Sequence, residues 1–236
     1  MEPASSRDVA VAAVALAGTD ARDPSHALLE LAGSAAPLLG VTAGAALISD
    51  GAVHGVASAG SDRARAVVSV GFGQGPGGEC ARSGRPVLCD DLPRERPRWL
   101  AFVAKAAAAG VTGAWAVPIH HTPGTTLGAL LLLGHRRTTP DLHTAELLAG
   151  AVASALTHAH ELDSVDRERR QLRSALRSRI PIEQAKGALA AQAGVDVDTA
   201  FQLMRTHARR HGLSLTDVAA AVMSREIDPA LLTADQ

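Results

Sequence analysis

The sequence predicts an α+β chain: a mainly antiparallel sheet with flanking helices, then a long connector helix and an all-α module of three short helices. Three observations carry this. Apolar residues recur at helical spacing near residue 30, short apolar runs bounded by turn residues follow, and from Pro140 helical spacing dominates.

In order along the chain, residues 1–22 are polar and then Ala/Val-rich, and are read as a flexible N-terminal segment. Residues 25–39 place apolar side chains at 28, 31, 32, 35, 38 and 39, the spacing of a helix. Residues 44–49 and 52–58 are strand-like runs around Asp50-Gly51, a hairpin turn signal. Residues 71–78 hold five glycines and read as a loop. A short strand over 86–89 and a helix over 99–109 come next, then strands over 111–119 and 127–133 joined through the turn-rich 120–126. Apolar residues at 148, 152, 155, 159 and 162 step by four and three before the seam slips to 165, 172 and 176. This spacing fits a helix that pairs with a second copy, and the charge-dense 163–173 fits a solvated connector.

Three short helices are read beyond it. The first covers about 180–192 and stops at Gly194. Asp196 caps the second, with Ala200, Leu203, Met204 and Ala208 inside and Gly212 as its stop. Ser214-Leu215-Thr216-Asp217 resembles a capping box opening the third, Leu215–Met223. The predicted organisation is thus 1–22 segment, 23–162 sensor-like domain, 163–225 helical module with its connector, and 226–236 acidic tail.

Charge is uneven. Residues 1–163 carry 12 basic and 15 acidic side chains, a net −3; residues 164–225 carry 11 and 6, a net +5; the last 11 carry three acids, a net −3. A short positive block suits a nucleic-acid-facing module. Tyr is absent, with three Phe and two Trp, which argues against an aromatic stacking platform for bases. Cys80 and Cys89 set no disulfide framework. The Ala/Val run 9–17 is too short to span a bilayer, and 111–133 is broken by His120, His121, Pro123 and Gly124, so a cytoplasmic protein without membrane contact is expected. His207 and His211 have HxxxH spacing but lack the zincin glutamate and sit among arginines. His120-His121 with Cys89 has no CxxC support. No catalytic set stands out, and neither an enzyme, a cofactor nor a metal is expected.

Only Lys105 and Lys186 among 23 basic residues are lysines. Beside Lys186, Gly187 interrupts a helical pattern at a cost of about 1 kcal/mol relative to alanine. Lys186 could contact RNA, or snorkel to solvent or pair with Asp217. Gly187 fits close RNA approach or tight helix packing.

Arg179-x-x-Ile182-Glu183-Gln184-Ala185-Lys186-Gly187, then Ala200-Phe201, Arg205 and Leu215-x-x-Val218-Ala219, resembles the ANTAR domain of RNA-binding transcription antiterminators. Ala190 stands where that family often has methionine, and Pro181 falls in the first turn of the predicted helix. Upstream, Gly75-Pro76, Gly84-Arg85-Pro86-Val87, Asp90-Asp91-Leu92, Arg98-Trp99, Gly110-Val111 and Leu127-Gly128-Ala129-Leu130 resemble a GAF sensor domain, with Gly77 where many relatives carry a cysteine. The resemblance implies a signal-responsive antiterminator that binds stem-loops of nascent mRNA. It would act as a homodimer through the connector helix, with an unknown small-molecule or protein signal at the GAF-like domain. The motif's Arg179, Gln184, Lys186, Gly187 and Arg205 form the candidate RNA face, joined by Arg209, which shares a helix face with Arg205, and by Thr216, whose hydroxyl could donate to phosphate. A DNA-binding or protein-interaction regulator is the alternative.

Overall fold

A computed structural model gives the structure of residues 5–49, 51–122, 125–135 and 139–227, apart from the side chains of Thr122 and residues 172–179. The hairpin tips at Asp50 and Pro123-Gly124, the side chain of Arg179 and most of the acidic tail fall outside these residues. The chain forms two compact units, Met1–Leu162 and Asp163–Gln236.

The first unit opens with helix α1 (Ser6–Ala17). This corrects the flexible segment expected over 1–22. Ser5 and Asp8 form a reciprocal capping box, and Leu16 is 1% exposed in the core. Helix α2 (Pro24–Leu39) starts at Asp23, whose carboxylate accepts from the Ser25 amide at 2.9 Å. Strands β1 (Thr42–Ser49) and β2 (Ala52–Ala59) form the first hairpin. Helices α3 (Asp62–Gln74) and α4 (Pro76–Ser83) come next, then β3 (Val87–Cys89), a 3-10 turn (Leu92–Glu95) and α5 (Leu100–Ala108). The hairpin of β4 (Gly113–Thr122) and β5 (Thr125–Gly134) leads into the long helix α6 (Leu142–Ala193). All pairings in the five-stranded sheet are antiparallel, in the order β2-β1-β5-β4-β3.

Alternation along the strands feeds two cores. Ala45, Trp115, Val117, Leu130 and Leu132 point to the face covered by α1, α2 and the start of α6. Ala46, Ala114, Ala116, Ala129, Leu131 and Leu133 point to the face covered by α3, α4 and α5. A strand buried on both faces needs apolar side chains at every position, which is why Leu130-Leu131-Leu132-Leu133 reads as an unbroken run.

The glycine-rich 71–78 is not a loop: it closes α3 and opens α4, broken only at Gly75. A Cβ on Gly71 would stand 2.4 Å from Leu131 Cδ2, one on Gly77 2.8 Å from the Phe72 ring, and one on Gly78 2.2 Å from the Phe72 carbonyl oxygen. These glycines let α3 and α4 press against the sheet and each other; they mark close approach, not a turn.

The seam at 148, 152 and 155 is also corrected. Leu148, Val152 and Ala155 are buried in the first unit's own core, so this stretch of the pattern needs no second copy. The helix expected to begin near 180 is the continuation of α6, with Pro181 inside it. Among the described residues, no helix is long and apolar enough to cross a membrane.

Candidate nucleic-acid interface

The second unit is built from the last turns of α6, α7 (Val197–His211) and α8 (Leu215–Met223). Gly194 and Gly212 follow α6 and α7 with φ of +69° and +65°, the left-handed conformation glycine adopts without strain. Asp196 caps α7 by accepting from the Thr199 amide (2.8 Å) and the Thr199 hydroxyl (2.6 Å). These bonds, the hydroxyl first, hold its carboxyl below the usual aspartate range. The cap is therefore complete above the ordinary carboxylate pKa and is lost as pH falls through the lower folded value. Ser214 caps α8 by accepting from the Asp217 amide at 3.1 Å. The core joins Ala185, Leu189 and Ala190 of α6 to Ala200, Leu203, Met204 and Ala208 of α7 and Val218, Ala219 and Val222 of α8.

Lys186 follows Ala185 into the edge of this core. Its ammonium donates to Glu183 Oε2 at 3.0 Å and lies 5.2 Å from the centroid of the Phe201 ring. The acid beside it is Glu183, one turn earlier, rather than Asp217 on α8. Gly187 is exposed, and among the described residues a Cβ there would meet nothing within 4 Å. Packing within the module therefore does not require a glycine. Gln184 is exposed three residues before Gly187 on the same side of the helix. On α7, Phe201, Arg205 and Arg209 follow one another at four-residue spacing, and both arginines are exposed. This row starts at Lys186. Thr216 stands half-buried in the first turn of α8. Glu183 and Phe201 belong to the quoted motif but not to the RNA face expected from the sequence; the three-residue spacing and the scarcity of aromatics are the signals that point to them.

Open space at Gly187 gives a direct expectation. Gly187→Ala should stabilise the helical module by about 1 kcal/mol, the helix-propensity difference. Thermal melting of the full chain checks this; an unchanged or lower transition would show that the glycine serves the module's internal geometry.

Residues 21–157 match the GAF domain family and residues 170–223 the ANTAR domain family. The chain belongs to the GAF family and carries an ANTAR domain after it. Among solved structures, the free methionine-R-sulfoxide reductase from Neisseria meningitidis aligns with a TM-score of 0.50 at 16% identity, over 67% of this chain and 95% of that one. The GAF domain of a phosphoenolpyruvate-protein phosphotransferase from Coxiella burnetii aligns at 0.48 and 17% identity, over 67% and 95%. The corresponding domain from Acinetobacter aligns at 0.48 and 10%, over 66% and 93%. At 16% identity the first of these likenesses establishes the fold of the GAF domain and carries no activity across. No curated protein sequence matches the chain. Its two domains are of sensory and regulatory RNA-binding kinds.

Within the GAF domain, an open cleft of about 640 Å³ lies between the α3–α4 junction and the start of α5, lined among others by Gln74, Glu79, Arg82, Arg98 and Leu100. Arg98 donates to Glu79, pairs with Glu95 at 3.5 Å and stacks 4.5 Å over the Trp99 ring. Its charge is thus already matched by two carboxylates. Burial pushes the Cys80 thiol up to about 12 and raises Cys89 as well, so both are held as neutral core thiols. Among the described residues, no group of three or more His, Cys, Asp or Glu side chains is placed to hold a metal ion. The rings of His207 and His211 lie 4.2 Å apart on α7.

Proposed function

We propose that this protein is a cytoplasmic, signal-responsive transcription antiterminator. Its ANTAR domain binds paired stem-loops in nascent mRNA and keeps a terminator hairpin from forming, and its GAF domain sets that activity in response to a small-molecule or protein signal. The observation that carries this reading is the surface around Lys186. A held ammonium stands beside an exposed backbone stretch at Gly187, next to the arginine row of α7, inside the chain's positive block. The missing side chain at Gly187 lets a nucleic-acid backbone come close to the cations, and the planar guanidinium of Arg205 or Arg209 suits a phosphate's paired oxygens. Arg179, Gln184 and Thr216 complete the proposed face.

Two copies pair through α6. Support comes from beyond the stretch buried in the GAF core, where Leu162 and Val165 are 44% and 52% exposed. Each module is small, and two on one dimer bind two hairpins with the advantage of effective concentration.

Lys186→Ala and Arg205→Ala are each expected to weaken binding of a two-hairpin RNA by about tenfold, the scale of one charge-assisted hydrogen bond. Arg205→Ala should also flatten the salt dependence by about 0.7–0.9 in log–log slope, and Lys186→Ala by less, because Glu183 already matches part of its charge. Fluorescence anisotropy across a salt series measures both, with circular dichroism confirming retained helix. Unchanged affinity in both variants, or equal competition by duplex DNA, would refute the assignment.

A further inference from the structure

We infer that Glu183 is an internal stand-in for an RNA phosphate. Its carboxylate occupies the Lys186 ammonium in the free protein and is displaced when RNA binds, while the Phe201 ring keeps the ammonium in place through the exchange. This rests on the RNA-binding reading above and adds to it a built-in competitor.

The geometry is specific. Glu183 and Lys186 are three residues apart on α6, with 3.0 Å between Oε2 and Nζ. The lysine side chain is 15% exposed and the glutamate 54%, so the cation is held against the protein while the acid reaches it from the solvent side. Glu183 also lies four residues before Gly187, hence one turn away on the same helix face. An anionic backbone approaching the open surface at Gly187 therefore meets the Glu183 carboxylate first. Phosphate and carboxylate offer an ammonium the same kind of anionic oxygen, and two anions crowded on one cation repel. One must leave, and the exposed glutamate is free to swing into water. The lysine is anchored differently. Its ammonium sits against the ring of Phe201, a contact that favours a cation whichever anion faces it. The ring thus serves as a seat for the cation, in keeping with a chain that has only three phenylalanines and no tyrosine for stacking bases.

The test is a cycle of variants in the full chain, measured by equilibrium binding to an RNA carrying two hairpins over a salt series. Glu183→Gln is expected to bind about two- to fivefold more tightly at low salt, the worth of a partly exposed ion pair. Its salt dependence should steepen by up to about 0.7–0.9 in slope, because an unpaired Lys186 neutralises a phosphate in full. In a Lys186→Ala background, Glu183→Gln should have no effect. Phe201→Leu should weaken binding about two- to fivefold while the helical circular dichroism is kept. An unchanged or weaker affinity for Glu183→Gln overturns the inference. So does an equal gain in the Lys186→Ala background, which would reveal general charge repulsion. A wild-type chain that binds no hairpin RNA removes the underlying function as well, whereas wild-type binding with an inert Glu183→Gln removes this inference alone.

Discussion

Gly128→Ala is expected to destabilise the GAF domain by about 3 kcal/mol or more. Gly128 sits on β5 opposite Leu47 of β1 and Ile119 of β4, so it has a backbone neighbour on either side. A Cβ at this position would stand 1.9 Å from the Ala46 carbonyl oxygen, and 2.9 Å from both the Ala46 carbonyl carbon and Leu47 Cα. All three are main-chain atoms, so no rotamer change relieves the clash. Strand β1 would have to move, yet it is tied to β2 on its other edge. Overpacking of side chains alone costs about 1–3 kcal/mol, and a rigid backbone neighbour places this substitution at the upper end or beyond. Against a typical reserve of about 5–15 kcal/mol, this is a large share, so the cooperative transition should move to markedly lower denaturant. Urea titration followed by tryptophan fluorescence measures this directly, since Trp99 and Trp115 are both buried in this domain. A shift below about 1 kcal/mol would mean the sheet accommodates the methyl group.

The second large effect is expected at Leu189→Ala, one turn past the lysine. Leu189 is fully buried between helices of the ANTAR domain, whose buried set is half alanine: Ala185, Ala190, Ala200, Ala208 and Ala219. Alanines contribute little apolar area, so the few large side chains supply most of the burial. Truncating a buried leucine costs about 2.7–5.0 kcal/mol depending on how far the site collapses. A three-helix module has little to spare, so RNA binding should be abolished with loss of helical signal, unlike Lys186→Ala, which should weaken binding and keep the helical signal. A Leu189→Ala chain that retains both its helices and its affinity would show that the module draws its stability from elsewhere.

The local signals in the sequence were sound where one physical cause dominated. Helix α2, both hairpins and the caps Asp196 and Ser214 were legible, because apolar period, turn residues and cap chemistry each act within a few residues. The glycines at 71–78 were misjudged because glycine serves two purposes. The sequence does not distinguish a turn from a close approach, which depends on Phe72, Phe102 and Leu131 arriving from other elements. Helix α1 was missed because an Ala/Val run has no sharp amphipathic stripe, and its anchor, Leu16, is a single residue. The seam at 148–155 was correctly seen as apolar and assigned to the wrong neighbour, since periodicity shows that a face is covered and not by what. For the RNA face, Lys186 and Gly187 stand out by type and Glu183 only by its three-residue spacing, whereas the ring at Phe201 acquires meaning only once α6 and α7 are packed together.

One stretch of α6 has a kinetic consequence. Every residue from 160 to 171 is exposed, so this segment is held in helical form by its own backbone hydrogen bonds, without side-chain burial on any face. Isolated helices of about a dozen residues are marginal in water, and segments without buried contacts open at little cost. In a single copy, the middle of α6 is therefore among the described stretches that open most cheaply. Arg167, Arg169 and Arg170 lie there, so a trypsin-like protease reaches them without disturbing either core, and amide protons there exchange ahead of those in the helix's buried turns. Whatever lies along this segment when the protein works acts on a part of the molecule that is cheap to order or to melt.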